Sequence, residues 1–315
     1  MEIEELRAFN RTVTERIGAL EDRYLNTGRS LALDRLLWEI GRDGADVRDL
    51  RDRLGLDSGY LSRQLRALEG EGLVVTVPSP DDARVRRAEL TDAGIAEVGV
   101  LDDLSDDLVR AILRPLAPRQ RAQLIEAAGT VRRLFTASAI EIGVVDPADA
   151  AARFAVDQYF AVLATRFDAG FDAGTTRAAR DDEMRAPHGT FLVARLKGEV
   201  VGCVGLKLHG DDPAEIKRLW VADSVRGLGL GRRLLAEVEE AARAAGAPAV
   251  QLDTNRSLTE AIALYRSAGY REIPPFNDEP YAHHWFEKPL QPAEPTERAQ
   301  PAEPARPAER AEVAR

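Results

Sequence analysis

Cysteine is all but absent, with Cys203 the single one in 315 residues. That excludes an intrachain disulfide and any zinc site built on several cysteines. Long apolar runs are missing as well; none approaches the roughly 20 residues a helix needs to cross a bilayer. The opening Met1-Glu2-Ile3-Glu4-Glu5-Leu6 lacks the basic start and apolar centre of a secretory signal. No set of side chains has metal-ligand spacing. Lysine is missing from the first half, since Lys197, Lys207, Lys217 and Lys288 all lie beyond residue 190. These absences predict a cytoplasmic protein without a membrane partner or a metal.

What is present is ordinary for a globular chain: 44% hydrophobic and 30% charged residues. The length allows two domains, each with its own core. A formal net charge of −10 argues against indiscriminate coating of nucleic acid, yet permits a local basic surface. Arginines gather between Arg48 and Arg87, where such a surface would lie.

Apolar residues at helical spacing (Ile3, Leu6, Phe9, Val13, Ile17, Leu20, Tyr24) predict a long amphipathic helix over 3–25. Helices follow at 31–40, 47–54 and 58–70, the last two joined by Gly55-Leu56-Asp57, with Asp57 or Ser58 as the cap. Residues 73–77 and 86–90 read as strands of a hairpin, and two helices, 91–113 and 118–137, complete the half. Helix, tight turn, helix and hairpin make a winged helix-turn-helix, whose second helix fits the DNA major groove. Leu61, Leu65 and Leu68 form its inward stripe, leaving Ser58, Ser62, Arg63 and Arg66 for DNA. Arg84, Arg86 and Arg87 belong to the hairpin and would reach phosphates or a minor groove.

The stretch Tyr60-Leu61-Ser62-Arg63-Gln64-Leu65-Arg66-Ala67-Leu68-Glu69, followed by Gly72-Leu73-Val74, resembles the MarR family of bacterial regulators. So does the passage from Asp82-Ala83-Arg84 into Leu90-Thr91-Asp92-Ala93-Gly94. The resemblance covers residues 1–138 and implies a homodimer built from the first and last helices, reading two half-sites of double-stranded DNA about one turn apart. Val85 separates Arg84 from Arg86, whereas the common family wing pairs its arginines closely; which arginine enters the groove stays open.

Beyond Ile140 strands and helices alternate, as in an α/β or α+β domain. Strands are expected at 140–145, 190–195, 200–208, 215–221, 250–254 and 283–288, with helices at 147–166, 231–245 and 258–268. After Leu290 the chain repeats Pro-Ala-Glu units without aliphatic periodicity, so residues 291–315 are expected to stay disordered.

The strand Glu215-Ile216-Lys217-Arg218-Leu219-Trp220-Val221 feeds the glycine loop Arg226-Gly227-Leu228-Gly229-Leu230-Gly231-Arg232, which opens a helix. Glycines let backbone approach a ligand, and the amides at a helix start favour phosphate. No Gly-Lys-Ser/Thr follows, so this is not a Walker loop. The pattern Arg226-x-x-Gly229-x-Gly231 resembles the pyrophosphate loop of GNAT N-acetyltransferases. Asn255 and Ala261-Ile262-Ala263-Leu264-Tyr265-Arg266-Ser267-Ala268-Gly269-Tyr270 resemble a second element of that family.

The GNAT resemblance covers residues 139–290 and implies an α+β fold with a central mixed sheet and acetyl-CoA as the acetyl donor. It implies that the amides of Arg226 to Arg232 hold the pyrophosphate, that the backbone of Leu219, Trp220 and Val221 pairs with the pantetheine arm, and that Asn255 lies against the cofactor. It further implies Glu215 as the base and Tyr265 as the acid of acetyl transfer to a primary amine. A base is needed because an alkyl ammonium, with a pKa of about 10.4, costs on the order of 4 kcal/mol to deprotonate at neutral pH. Plainer readings stand beside these: Glu215 paired with a nearby cation, Tyr265 as packing, Asn255 as a turn cap. Cys203 reads as core, Trp220 and Trp285 as core or pocket wall, and at most one of His283 and His284 as a substrate contact. The acceptor pocket is expected from 154–171, 172–188 and 274–281, with Asp168, Asp172, Asp181, Asp182 and Glu183 suited to a cation. The whole is expected to be a regulator and an acetyltransferase in one chain. Two alternatives remain: a regulator with a non-catalytic acyl-CoA sensor, or an enzyme whose winged helix only dimerises.

Overall fold

The computed structural model of the chain describes residues 1–18, 25, 27–80, 82–167, 170–172, 174 and 180–290. The expected disordered tail (291–315), Leu20 and Tyr24 of the first helix, and Asp168 lie outside the described residues. The chain divides into two compact units. One comprises Met1–Glu141, Ala194–Val201 and Ser224–Leu228; the other comprises Ile142–Val193, Gly202–Asp223 and the chain from Gly229.

The first unit opens with α1 (Glu2–Arg16), which stops well short of the expected residue 25. Gly18 takes φ +69°, a left-handed conformation that glycine adopts without strain, and its amide bonds back to Glu15 O. Next come α2 (Leu31–Ile40), β1 (Ala45–Asp46), α3 (Val47–Leu54) and α4 (Ser58–Gly70). The hairpin strands β2 (Val74–Pro78) and β3 (Arg86–Leu90) pair antiparallel, and β1 adds to β3, giving a sheet ordered β1-β3-β2. At two residues, β1 is too short to show any alternation in sequence. Two long helices, α5 (Asp92–Leu113) and α6 (Pro118–Ser138), follow.

Leucines from α2, α3 and α4 build the core; Leu37, Leu50 and Leu68 are fully buried. Thr91 caps α5 by accepting from the Gly94 amide at 3.0 Å. Gly94 must be glycine, because a Cβ there would lie 2.0 Å from Leu73 O. A buried charge cluster ties the loop before α2 to α4 and α5. Arg29 reaches Asp34 at 2.8 Å, Glu71 at 3.4 Å, and Glu97. Asp34 is 0% exposed.

A seven-stranded mixed sheet ordered β4-β5-β6-β7-β8-β10-β9 carries most of the second unit, with residues 140–141 and 194–201 of its strands counted to the first. Its strands are β4 (Ile140–Val144), β5 (Gly189–Leu196), β6 (Glu199–His209), β7 (Asp212–Val221), β8 (Ala249–Thr254), β9 (Arg271–Ile273) and β10 (His284–Pro289). Helix α7 (Ala150–Arg166) precedes β5, α8 (Leu230–Ala244) follows β7, and α9 (Thr259–Ser267) follows β8. The β7 and β8 strands are parallel, while β6–β7, β8–β10 and β10–β9 are antiparallel. The three-residue β9 escaped sequence reading for the same reason as β1.

Removing one partner of a buried ion pair leaves the other charge uncompensated, at a cost of about 3–5 kcal/mol. Arg29→Met is therefore expected to lower the melting temperature of the first unit by several degrees in calorimetry, while Arg110→Met, on an exposed pair, leaves it unchanged. Equal melting of the two variants would show that the cluster is not the tie.

Candidate functional site

The DNA-facing candidates divide into two groups. On α4, Asp57 accepts from the Tyr60 amide at 2.6 Å and fixes the helix start, where unpaired amides favour phosphate. Leu61, Leu65 and Leu68 point inward as expected, leaving Ser58, Arg63 and Arg66 exposed and Ser62 half-buried. The Arg63 guanidinium lies 5.9 Å from the Tyr60 ring centroid, a cation–π support for an otherwise free-swinging side chain. Arg84 and Arg86 are exposed.

Arg87 is different. It sits in β3 opposite Asp46, not at the hairpin tip. Its guanidinium bonds Gly44 O at 3.2 Å, Asp46 at 3.4 Å and Asp43 O. Those partners take the fork of donors that a phosphate would need, so Arg87 is withdrawn from the DNA-facing set and assigned to holding the Asp43-Gly44 turn.

In the second unit, one feature of the sheet creates a cavity. The β7–β8 ladder pairs Ala214 with Val250 and Glu215 with Gln251, and there it ends. Past that point the strands part. The β7 residues from Ile216 to Leu219 and the β8 residues from Leu252 to Asn255 become opposite walls of a cavity. On its other side β7 stays paired with β6, through Lys217–Gly205, Trp220–Cys203 and Val221–Gly202. Two β7 residues, Arg218 and Leu219, there face the single Val204 in a β-bulge, with Arg218 at φ +56°. Cys203 donates its thiol to Arg218 O at 3.2 Å, and burial pushes that thiol up to about 12, so it is core and no nucleophile at neutral pH.

Beyond the cavity β7 runs into the glycine loop. Gly227 and Gly229 take φ +76° and +79°, and Gly229 is the N-cap of α8. Left-handed residues at the entry to a helix are a backbone arrangement that favours an anion, and within the loop the Leu228 amide bonds Val225 O at 3.4 Å. Neither glycine has an atom within 4 Å of where a Cβ would sit, so backbone conformation is what selects glycine here. Gly231 answers to space instead, since its Cβ would approach Leu264 at 3.0 Å. Arg226 and Arg232 are exposed beside the loop, and Arg232 reaches Ser267 O and Oγ at 3.2 and 2.8 Å. Leu228 is half-buried and Leu230 buried. A parted strand edge leading to amides at a helix start fits a pantetheine diphosphate; Leu219 to Val221 and Arg226 to Arg232 are the residues that would hold it.

The titratable residues are linked in a chain. Lys217 Nζ bridges Glu215 Oε1 at 2.7 Å and Asp253 Oδ1 at 2.6 Å. Burial alone would lower the Lys217 pKa, but Asp253 and Glu215 outweigh it and hold the ammonium above its ordinary value. Asn277 donates to both carboxylates at 3.1 Å and accepts from Trp285 Nε1 at 2.8 Å. Lys207 and His209 approach Glu215 at 3.7 and 3.8 Å. Glu215 does not line the cavity; Asp253 and Lys217 do. Sequence reading missed Asp253, Lys217 and Asn277, because only the fold makes a lysine on one strand and an acid on another partners.

Tyr265, on α9, lines the cavity and packs at a tilt against Tyr270 and Phe286, with centroids 5.9 and 5.8 Å away. Burial pushes its hydroxyl well above the ordinary phenol value. Asn255 lines the cavity too, but its amide is engaged in structure: Nδ2 donates to Tyr281 O at 2.8 Å, and Oδ1 accepts from Ser257 N and Oγ. His284 pairs with Glu272 at 2.6 Å, and neither His283 nor His284 lines the cavity. Nor do Asp181, Asp182 and Glu183, which were expected to make an acidic acceptor wall; Glu183 pairs with Lys207 at 3.3 Å.

Residues 156–270 match the acetyltransferase (GNAT) family, and residues 35–85 match the MarR family. An IAA acetyltransferase of Azospirillum brasilense is 41% identical over 112 residues, 34% of this chain and 72% of that protein. An uncharacterised N-acetyltransferase of Schizosaccharomyces pombe is 33% identical over 130 residues, 38% of this chain and 80% of that protein. Wild-type MarR of Escherichia coli aligns at 24% identity and a TM-score of 0.36, covering 40% of this chain and 93% of that one. The chain belongs to the GNAT family as an acetyl-CoA-dependent N-acetyltransferase, and it carries a MarR-family winged helix ahead of that domain.

Proposed function

We propose that the chain is both a DNA-binding regulator and an enzyme that moves an acetyl group from acetyl-CoA to a primary amine. The observation that carries the enzymatic half is the parting of β7 and β8 beyond Glu215–Gln251, in line with the left-handed glycines 227 and 229. The domain limits we adopt are 1–138 and 139–290. On this reading the amides of Arg226 to Arg232 grip the diphosphate, and the edge of Leu219 to Val221 pairs with the pantetheine amides. Asn255 braces that end of the cavity. Bound acetyl-CoA supplies an activated acyl thioester.

The transfer forms one N–C bond and breaks one S–C bond. An ammonium acceptor gives up two protons, one of which ends on sulfur while the other goes to water. Asp253 and Glu279 are the carboxylates that line the cavity, beside the cations Lys217 and Arg218, and Lys217 links Asp253 to Glu215, which lies 3.8 Å from His209. Glu215, set back from the cavity, acts as base through water, while the Lys217 ammonium, which has no lone pair to accept a proton, holds the two carboxylates in place. Tyr265 stays protonated at neutral pH and donates a hydrogen bond to the departing sulfur.

For the first half, α4 enters the major groove with Ser58, Ser62, Arg63 and Arg66, while Arg84 and Arg86 reach backbone phosphates. A homodimer is supported by apolar side chains left exposed on α1 (Ile3, Leu6) and α6 (Ile125, Leu134). Phe9 and Phe135 meet edge to face at 6.5 Å between these two helices.

Four outcomes are expected. Calorimetry should record CoA uptake by the full chain, weakened roughly fivefold or more in Gly229→Ala, because a left-handed non-glycine residue costs about 1–2 kcal/mol; no uptake by the folded wild type would end the enzymatic reading. Tyr265→Phe should lower kcat by about 10²-fold, and Glu215→Gln should shift the pH–rate profile. Full turnover in the first variant, or an unmoved profile in the second, removes that role. Binding to the gene's own upstream DNA should weaken by about 10³–10⁵ between 50 and 200 mM salt if six to ten phosphates are contacted; salt-independent retention in a gel shift would contradict it.

A further inference from the structure

The cavity has two unlike walls. One is made of the parted ends of β7 and β8 together with Leu258, Ala261 and Tyr265, and it is the side suited to the thioester. The other is aromatic. Phe160 and Phe171 lie 5.5 Å apart between centroids, Phe171 and Tyr281 5.2 Å, Phe167 and Tyr281 5.6 Å, and Phe167 and Phe171 5.6 Å. These rings form one continuous cluster, drawn from α7, the segment after it, and the segment before β10. Tyr281 is braced on both sides, by its hydroxyl accepting from the Asp172 amide at 3.0 Å and its carbonyl accepting from Asn255.

Phe167 is buried, but Phe160, Phe171 and Tyr281 are only half-buried and line the cavity. Apolar surface facing a cavity is covered best by an apolar ligand of matching shape, and aromatic faces favour both rings and cations. Asp253 and Glu279 supply the anionic points of the lining; Lys217 holds Asp253 at 2.6 Å, and the Arg218 guanidinium lies 5.8 Å from the Phe160 ring centroid. The acids of residues 181–183, which would have welcomed a polycation, lie elsewhere.

We infer that the acceptor is a primary amine bearing an aromatic ring a short linker away, an arylalkylamine. Its ring rests on Phe171 and Tyr281, beside Phe160, and its ammonium faces the carboxylates of Asp253 and Glu279. This substrate class rests on the acetyl-transfer reading of the same cavity. An aliphatic polyamine or a short polar amine would leave the rings uncovered.

The test uses the full chain saturated with CoA and titrated in a calorimeter with 2-phenylethylamine, butylamine or ethanolamine, alongside an assay of thiol release from acetyl-CoA with the same amines. Phenylethylamine is expected to bind at least about tenfold tighter than butylamine, the scale of discrimination an apolar wall provides. Phe171→Ala should abolish that preference. Should Phe171→Ala fail to fold by circular dichroism, Phe160→Leu provides the same comparison with a smaller change of volume. Equal binding of phenylethylamine and butylamine, a preference for ethanolamine, or no binding of any amine overturns the inference. Preferential phenylethylamine binding without thiol release leaves an arylalkylamine as the cavity's ligand and refutes the transfer reading. Thiol release with all three amines and no aromatic preference does the reverse.

Discussion

Two parallel strands that pair at Ala214–Val250 and Glu215–Gln251 and then separate set the terms for the rest of the second unit. A separated strand edge carries amides and carbonyls that must be satisfied, because buried backbone polar groups without partners are costly. A ligand with amides of its own satisfies them, and a linear pantetheine arm has that chemistry. The bulge at Arg218 and the glycine loop continue the same theme, since each breaks regular pairing at or just beyond β7. Pocket, loop and helix start thus lie along one strand.

Parting two strands removes ladder hydrogen bonds, and the charges near the fork help to hold its geometry. Lys217 sits between Glu215 and Asp253 at 2.7 and 2.6 Å, stapling β7 to β8 through side chains just where backbone pairing ends. Asn277 adds a neutral clasp to both carboxylates and is itself fixed by Trp285. Desolvating three charges would be unfavourable singly; together their attraction and hydrogen bonds offset much of that cost. The same groups that hold the fork also line, or lie one step from, the cavity. Structural and proton-handling roles are therefore hard to separate by deletion, and for that reason a pH profile is more informative than a loss of rate.

The winged helix obeys a different constraint. Its leucine stripe fixes the face of α4 that turns inward, and the Asp57 cap fixes where the helix begins. The outward face follows without further choice: Ser58, Arg63 and Arg66 are what remains. The Arg29 cluster and the close approach of Gly94 to Leu73 then lock α4 and the wing to α2 and α5.

Local chemistry decided much of this before folding. Periodicity and caps placed α2, α3 and α4 at 31–40, 47–54 and 58–70, because each is bounded by a glycine, an aspartate or a serine that ends or begins a helix whatever surrounds it. The glycine loop was legible for the same reason, since a left-handed backbone has few other residues to choose from. What sequence could not decide was pairing across distance. Arg87 has the composition of a DNA contact and is captured by the Asp43-Gly44 turn; Glu215, which the resemblance implied as base, stands one lysine away from the cavity. The aromatic cluster from Phe160 to Tyr281 and the partnership of Lys217 with Asp253 join residues far apart in the chain. A hydrogen bond or ring contact depends on coordinates that no local propensity contains, so only the tertiary structure settled them.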